Sequence, residues 1–294
     1  MRIAQAKANL DSSDSQKLDE LEVFAKWLLD IGDGRDQTTD ELSTIAVPES
    51  LCLPSGANLS DLAAWVYPDM AQNCKDPNWL SQRAILAPYN ADVDAANDAL
   101  SAEFPGAATT LLSADSVSNS EDSHLAPAET LNGFQPTGLP TSHKLELKPN
   151  MPLMLLRNMS PSEGLCNGTR LIFMRMIGAG KTIMQARIAN GPKQGNVVLI
   201  PRIKLSPDEG SFPYEWSRLQ FPVRVAFAMT INKAQGQTLT RVGVFLENPC
   251  FSHGQFYVAA SRVGLPESIR FAIDADEYGV RRTANIVYPE ALTA

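Results

Sequence analysis

Three segments of the sequence carry side chains that could act on phosphate groups. Residues 178–182 read Gly-Ala-Gly-Lys-Thr, and residues 229–239 end an apolar run in amide, hydroxyl and ammonium groups around a glycine. Residues 255–263 carry an arginine, Arg262, near the end of a predicted helix. Backbone amides, a lysine and a hydroxyl are the groups that bind a triphosphate with magnesium. Each segment is therefore a candidate for nucleotide or nucleic-acid chemistry.

The segment 178–182 departs from a phosphate-binding loop in two respects. The eight-residue loop pattern requires glycine at its first position, where this sequence has Arg175, and it requires a helix afterwards. The residues that follow, 182–188, are short and β-branched enough to form a strand. This predicts a glycine turn in a hairpin. A small-molecule kinase built on this segment is the weakest of the functional alternatives.

The segment 229–239 follows an apolar run that begins at Phe221. A buried strand delivers polar groups to its carboxyl end, where phosphate-containing ligands bind. Taken alone, the pattern is also typical of an ordinary polar turn. Arg262 is equally ambiguous from its neighbours, because it could interact with the helix carboxyl terminus. It could instead project toward a nucleotide held by a neighbouring domain and stabilise charge on the transferring phosphoryl group.

Helical and strand-like patterns surround these segments. Apolar residues at helical spacing predict a helix over 16–31, and a second, short helix is expected to be capped by Ser60 and terminated by Pro68. The apolar run 84–87 predicts a strand, and Asn90 is expected to cap the helix after it. Residues 109–114 offer another strand. Later in the chain, 242–246 and 269–273 predict buried strands on either side of a helix over 255–263.

Four apolar runs separated by Gly, Asn and Pro lie between residues 145 and 221, at 154–156, 171–174, 183–188 and 197–200. Such spacing predicts a small antiparallel β-barrel. The predicted fold class is therefore α/β, with a β module inserted into an α/β domain. The expected organisation is an N-terminal helical and loop segment over 1–79, an α/β domain formed by 80–144 and 220–294, and the β insertion over 145–219.

Composition excludes several other classes of protein. The 294-residue chain is 44% hydrophobic and 20% charged, which is unlike disordered or collagen-like sequences. Its four cysteines and three histidines are scattered, so no metal site is predicted. No signal peptide or membrane-spanning stretch is recognised, and an intracellular protein with reduced thiols is expected. Residues 151–241 hold 12 Lys and Arg against 4 Asp and Glu, although the whole chain has a formal net charge of -8, so one face could attract a polyanion.

Two of the segments match motifs of a known family. Residues 229–239 resemble motif V, and residues 255–263 resemble motif VI, of the petite-integration-frequency (Pif-type) DNA helicases, including their Helitron-transposon relatives. Further blocks resemble the family in the same order along the chain, at 24–34, 85–97, 112–116, 138–140, 154–158 and 164–170. The agreement therefore extends over nearly the whole length.

The resemblance implies a superfamily-one helicase that moves five-prime to three-prime on single-stranded DNA, using two RecA-like domains with ATP and magnesium between them. Only the second domain, a P-loop NTPase-type fold, is expected in this sequence. The first domain, with the phosphate loop, the magnesium carboxylate and the adenine-binding residues, is expected to precede it, and Met1-Arg2 resembles the tail of motif III. The inserted β stretch resembles the family's small SH3-like subdomain.

The resemblance also assigns roles to single residues. Arg262 would be the catalytic arginine finger, and Gln235, Gly236 and Arg2 would line the nucleotide site. The residues expected to contact DNA are Thr230, Asn232 and Lys233. The family often has His at the position of Asn232 and Leu at that of Ala260; the first departure could weaken a DNA contact, and the second affects packing.

These expectations describe one of the two RecA-like domains of a helicase. Alone, the chain should bind no ATP tightly and hydrolyse it negligibly, with the missing N-terminal RecA-like domain and single-stranded DNA as its partners. It is expected to be a monomer without a membrane partner, in the nucleus or the mitochondrion. A non-catalytic single-strand-binding or partner-binding module from a degenerate mobile element is the alternative. The arginine-finger role requires Arg262 to lie near Gln235 and outside the packed interior.

Overall fold

The computed structural model describes residues 7, 15–35, 43–117, 127–134, 141–208, 215–288 and 290. Its helices are α1 (Ser15–Asp33), α2 (Leu59–Val66), α3 (Met70–Asn73), α4 (Pro77–Ser81), α5 (Asn90–Glu103), α6 (Ala128–Gly133) and α7 (Gln255–Ala260). Its strands are β1 (Thr44–Ala46), β2 (Arg83–Ala87), β3 (Thr109–Leu112), β4 (Ala114–Val117), β5 (Lys144–Leu147), β6 (Pro152–Leu155), β7 (Arg170–Ile177), β8 (Ile183–Ile188), β9 (Val197–Pro201), β10 (Ile203–Leu205), β11 (Trp216–Gln220), β12 (Val223–Val225), β13 (Ala228–Thr230), β14 (Arg241–Phe245), β15 (Ile269–Ala272) and β16 (Arg282–Ala284).

The chain forms two compact units. The first unit contains residues up to Met70 together with Gln82–Ala102 and Phe227–Ala294, and the second contains Ala71–Ser81 and Glu103–Ala226. The β insertion expected over 145–219 lies entirely within the second unit, which also takes in residues 103–144. We refer to them below as the α/β unit and the β unit.

The α/β unit is built on a four-stranded parallel sheet in the order β13-β2-β14-β15. The middle strands β2 and β14 are almost entirely buried, which explains why their sequences are continuous apolar runs. Helix α2 packs closely on β14 at Gly243. A Cβ at this position would lie 2.6 Å from Val66 Cγ2 and 2.8 Å from Leu62, which is too close for any residue but glycine without a shift of its neighbours. The predicted buried strands and the helix α1 are confirmed, with α1 longer than expected.

The start of α2 corrects one sequence prediction. Asn58, and not Ser60, is the N-cap: its Oδ1 accepts from the amides of Ser60 and Asp61, at 2.8 and 3.2 Å. The Asp61 carboxylate in turn accepts from the Asn58 amide at 2.9 Å. This reciprocal pair is a capping box, which satisfies donors at both ends of the first turn. Ser60 lies inside the helix that it was expected to cap.

The β unit contains a five-stranded antiparallel sheet in the order β12-β6-β7-β8-β9, in which the four apolar runs of the sequence form β6 to β9. A three-stranded sheet, β10-β11-β4, and the pair β3-β5 complete its strands among the described residues. The strand expected over 109–114 is two strands, β3 and β4, which pair in different sheets on either side of Ser113. The antiparallel strands are as predicted.

A buried ion pair joins strands in the β unit. Arg218 on β11 lies 2.7 Å from the carboxylate of Asp115 on β4, and both side chains are fully buried. The same guanidinium donates to the carbonyls of Thr141 and Leu131, at 2.8 and 3.0 Å. A buried charge is tolerated only when it is paired and hydrogen-bonded, and Arg218 meets both conditions.

The segment 178–182 connects β7 to β8, which are antiparallel neighbours. Gly178 and Gly180 have positive φ angles of 84° and 73°. Glycine adopts such angles without steric cost, and a strand rather than a helix follows the turn. The predicted hairpin is therefore confirmed, and the small-molecule kinase built on this segment is excluded.

Candidate functional site

Five of the residues expected to bind DNA or nucleotide, Thr230, Asn232, Lys233, Gln235 and Gly236, lie at or just after the end of one strand at an edge of the parallel sheet. Strand β13 runs beside β2, with Thr230 paired to Ala87, and ends at that edge. A single turn of 3-10 helix, Ile231–Ala234, follows directly. Its Ile231 and Ala234 are buried while Asn232 and Lys233 are exposed, so the turn presents its polar side chains to solvent.

The buried side-chain amide of Asn97 positions strand β13 through two hydrogen bonds to its backbone. Asn97 on α5 donates from Nδ2 to the Ala228 carbonyl at 3.1 Å and accepts on Oδ1 from the Ala228 amide at 2.9 Å. The hydroxyl of Tyr67 donates to the neighbouring Phe227 carbonyl at 2.7 Å. Because β13 has only three residues, these contacts fix a strand that a short ladder alone would hold weakly.

The loop after the 3-10 turn depends on Gly236. This residue has a φ of 81°, and a Cβ added there would meet no atom within 4 Å, so backbone conformation and not space requires glycine. The adjacent amides are used within the loop: Gln235 donates to the Asn232 carbonyl at 3.3 Å and Gln237 to that of Ala234 at 3.0 Å. Gln235 and Gly236 are exposed, and they lie beside Asn232 and Lys233.

Arg262 lies against this loop, but its side chain is only 5% exposed. Its Nη1 donates to the carbonyls of Ala234 and Gln237, at 3.1 and 3.2 Å. The Nε atom donates to the Val258 carbonyl at 2.5 Å, and Nη2 donates to the Ser261 hydroxyl at 2.8 Å. The nearness to the loop agrees with the sequence prediction.

The burial of Arg262 does not agree with that prediction. An arginine finger must point its donors at phosphate oxygens, whereas here the donors point at oxygens of the same chain. The physical reason is that the carbonyls of Ala234 and Gln237, buried and partly buried, need hydrogen-bond donors, and a guanidinium supplies several from one side chain. In this conformation Arg262 is a positioning residue for the loop.

Gln255 was missed as a site residue in the sequence. It is 2% exposed. Its Oε1 accepts from the Phe251 amide at 2.9 Å, and its Nε2 lies 3.5 Å from Asn232 Oδ1. The local signals were its place directly after Gly254, at the start of α7, and its position as first residue of the block 255–263 that resembles motif VI. Asn97 is the last residue of the block 85–97 that resembles the family, and the sequence assigned it no role of its own.

Cys250 lies buried in the loop between β14 and α7. Burial raises the pKa of the Cys250 thiol to about 12, so the thiol beside the site is neutral near pH 7.

Arg2, expected at the nucleotide site, lies outside the described residues, as does the block 138–140. In the described part of the chain, no three His, Cys, Asp or Glu side chains come together as metal ligands would. None of the helices within those same residues combines the length and the apolar character needed to span a bilayer.

The chain is an α/β protein with a second, antiparallel β unit. The parallel sheet of the α/β unit carries an exposed polar loop after β13. Residues 129–176, within the β unit, match the family model described as "DNA helicase Pif1, 2B domain". The chain is 34% identical over 149 residues to ATP-dependent DNA helicase PIF1 of Homo sapiens, covering 51% of this chain and 22% of that protein. It is 30% identical over 202 residues to the Rattus norvegicus protein of the same name, covering 69% of this chain and 29% of that protein.

The fold has solved counterparts. A crystal structure of Pif1 helicase from Bacteroides in complex with ADP-AlF3 and single-stranded DNA matches with a TM-score of 0.55 and 21% identity, over 92% of this chain and 52% of that one. The chain belongs to the Pif-type helicase family. Its α/β fold is RecA-like, as predicted. The chain spans less than a third of the length of the human and rat relatives.

Proposed function

We propose that this chain is the second motor domain of an ATP-dependent five-prime to three-prime DNA helicase. The observation that carries the proposal is the polar loop at the carboxyl edge of the parallel sheet, where four exposed residues follow one short strand. The names of the human and rat relatives support the activity. The single-stranded DNA and the ADP-AlF3 bound in the Bacteroides structure support the two ligands.

The DNA track would begin at the end of β13. Thr230, Asn232 and Lys233 offer a hydroxyl, an amide and an ammonium group within four consecutive residues. These are the groups that bind backbone phosphates and sugars without reading sequence. Asn232 is neutral where the family often has histidine, so its contact is a hydrogen bond without a charge.

The nucleotide would be shared with a first RecA-like domain. Gln235 and Gly236 would line its edge in this chain, where the exposed loop leaves room for a ligand. The Gly-Lys-Thr segment does not fit a triphosphate because it turns between two strands. We therefore propose that the phosphate loop and the magnesium ligands come from the other domain, and that this chain alone holds neither ATP nor magnesium tightly.

Arg262 could reach a nucleotide only by giving up its present partners. As an arginine finger it would exchange carbonyl oxygens of the loop for oxygens of the transferring phosphoryl group. The loop that loses those bonds directly follows the 3-10 turn that carries Asn232 and Lys233. Domain closure around ATP would therefore change the hold on DNA, and hydrolysis would restore it. Alternate gripping by two domains moves the strand in steps.

The β unit would be the family's inserted SH3-like subdomain. Its five antiparallel strands and the match of residues 129–176 to the 2B-domain model support this assignment. The second candidate function is a non-catalytic single-strand-binding module, which the buried position of Arg262 favours. A mobile-element origin and a nuclear or mitochondrial location stay part of these proposals.

Hydrolysis and binding measurements separate the two functions. We expect negligible DNA-stimulated ATP hydrolysis by the chain alone, and restored hydrolysis when a separate first RecA-like domain of a Pif-type helicase is added. Arg262→Ala should abolish the restored activity, and it should weaken single-strand binding without abolishing it, because the loop that it holds adjoins the turn with Asn232 and Lys233. Binding should weaken steeply as salt rises, because bound Lys and Arg displace counterions. Turnover by the chain alone would contradict the proposal, and failure of the added domain would favour the binding module.

A further inference from the structure

We propose that exposed aromatic rings at the sheet edge form a base-stacking platform for single-stranded nucleic acid. The platform consists of Tyr89, Phe251, His253 and Tyr288. The proposal rests on the DNA track proposed above and extends it, since it assigns a place to the bases where the track assigned one to the phosphates. No residue of the platform belongs to the loop that follows β13.

The rings are arranged in two pairs. Tyr89 and Phe251 have centroids 4.8 Å apart and planes inclined by 39°, and they are 39% and 50% exposed. His253 and Tyr288 have centroids 5.3 Å apart and nearly parallel planes, and Tyr288 is 55% exposed. Each pair supports one ring with another and leaves aromatic surface in water. Exposed aromatic faces of this kind are the groups on which the bases of single strands stack.

The local core does not need these rings. Phe256, five residues after Phe251 in the chain, is buried and contacts Phe271 and Trp27 at centroid distances of 5.6 and 6.0 Å. The hydrophobic interior beneath α7 is therefore filled without Phe251. A ring that stays half exposed beside a filled core is available to a ligand.

The platform is held rigidly. The Phe251 amide donates to Oε1 of the buried Gln255 at 2.9 Å, and the Gly254 amide donates to the Ile286 carbonyl at 2.9 Å. The Tyr288 amide donates to His253 Nδ1 at 3.0 Å, which fixes the second pair. Rings that are already fixed lose little conformational freedom when a base stacks on them, so more of the stacking energy appears as affinity.

The platform lies at the same edge as the proposed DNA track. Strands β2, β13 and β14 are parallel, so their carboxyl ends share one edge of the sheet. Tyr89 is two residues beyond Ala87, the partner of Thr230 in the ladder. On the other side, Gln255 reaches from the Phe251 loop to Asn232. A strand whose phosphates lie along Thr230 and Asn232 would have its bases within reach of the rings.

Charge favours stacking over ion pairing at this place. The charged residues closest in sequence to the first pair are Asp92 and Glu247, and Asn248 donates to the Asp92 carboxylate at 3.4 Å. Carboxylates repel phosphates, so ion pairing with these residues cannot be the source of affinity at the rings. The platform should therefore contribute affinity that does not depend on counterion release, unlike the contribution of lysine and arginine.

The test compares oligonucleotides with and without bases. Binding of the full chain to fluorescent dT20, and to the same strand with abasic sites throughout, is followed by anisotropy at several salt concentrations. Phe251→Ala should weaken binding to dT20 by about fivefold or more, as expected for loss of base stacking. Phe251→Trp should retain it. The matched control is Tyr278→Ala, which removes an exposed ring (82%) at a distant turn and should leave binding unchanged.

Three results with the variants would overturn the platform. Unchanged dT20 binding by Phe251→Ala and by Tyr89→Ala is one, and an equal loss on the abasic strand is another, because that loss would reflect damage to the loop. A changed slope of affinity against salt is the third. If the unmodified chain binds neither strand, the proposed DNA track itself fails. Binding to both strands with equal affinity in the unmodified chain would leave the track in place and remove the platform.

Discussion

Replacing Arg262 by alanine tests whether one buried guanidinium holds the loop of residues 234–239. The substitution removes donors to the carbonyls of Ala234, Gln237 and Val258, of which the first is buried and the other two are partly buried. Hydrogen bonds to charged groups contribute about 1.5–3 kcal/mol each, and part of that gain is offset by the cost of burying the charge. We expect Arg262→Ala to lower the free energy of unfolding by about 3 kcal/mol.

Arg262→Lys should lie between the wild type and the alanine variant. The lysine ammonium keeps the charge, but it lacks the planar fork of donors with which a guanidinium reaches several carbonyls. We therefore expect about half of the loss in unfolding free energy that alanine causes. Urea unfolding gives the free energies, and native-state hydrogen exchange at the Gln237 and Leu239 amides gives the local opening of the loop. Arg282→Ala is the control, because its ion pair with Asp276 is exposed and long at 3.7 Å.

The outcome can separate a local role from a general one. If Arg262 holds the loop, exchange at Gln237 and Leu239 should speed up more in Arg262→Ala than exchange in the central strands β2 and β14. A change in unfolding free energy below about 0.5 kcal/mol, the range of ordinary surface substitutions, together with unchanged exchange would refute the reasoning.

Three further predictions concern the support of the site. Asn97→Leu leaves both backbone groups of Ala228 without their partner and should cost about 2–4 kcal/mol in urea unfolding; a neutral effect would contradict the clamp. Gly243→Ala should cost about 1–3 kcal/mol by overpacking, while Gly133→Ala, where a Cβ meets nothing within 4 Å, should not destabilise. Since the folded pKa of Cys250 is raised above its ordinary 9.0 to about 12, its stabilising contribution is complete below pH 9 and is lost as pH rises toward 12. Relative to Cys250→Ala, the wild type should lose about 1.4 kcal/mol between pH 8 and pH 10, and parallel pH profiles would contradict the shift.

Local pattern was sufficient for the strands and for the hairpin. Parallel strands covered on both faces read as unbroken apolar runs, and β2 and β14 were predicted on that ground. The turn at 178–182 was predicted because Arg175 replaces the first glycine of a phosphate loop. The capping box at Asn58 and Asp61 is also a local pattern and could have been found, but the serine at position 60 was preferred.

Pairing across the chain was not predictable from one sequence. The amide of Asn97 binds a backbone 131 residues away, and its neighbours on α5 give no sign of the partner. The division of 109–114 into two strands depends on partners at Lys144–Leu147 and Trp216–Gln220, which no local spacing reveals. Sequence identifies which segments are apolar or polar, whereas the partners of a buried polar atom are set by the tertiary fold.

Arg262 shows that a motif can predict which segments lie together without predicting the hydrogen-bond partners of a side chain between them. The segments 229–239 and 255–263 do meet, as the resemblance implied, and the arginine does lie between them. Its local sequence is the same whether the guanidinium binds loop carbonyls or a phosphate. The choice depends on which oxygen atoms are present, because a buried guanidinium must satisfy its donors with whatever acceptors it can reach. In the chain alone the acceptors are its own backbone, and so the side chain that was expected to serve a nucleotide instead fixes the loop beside it.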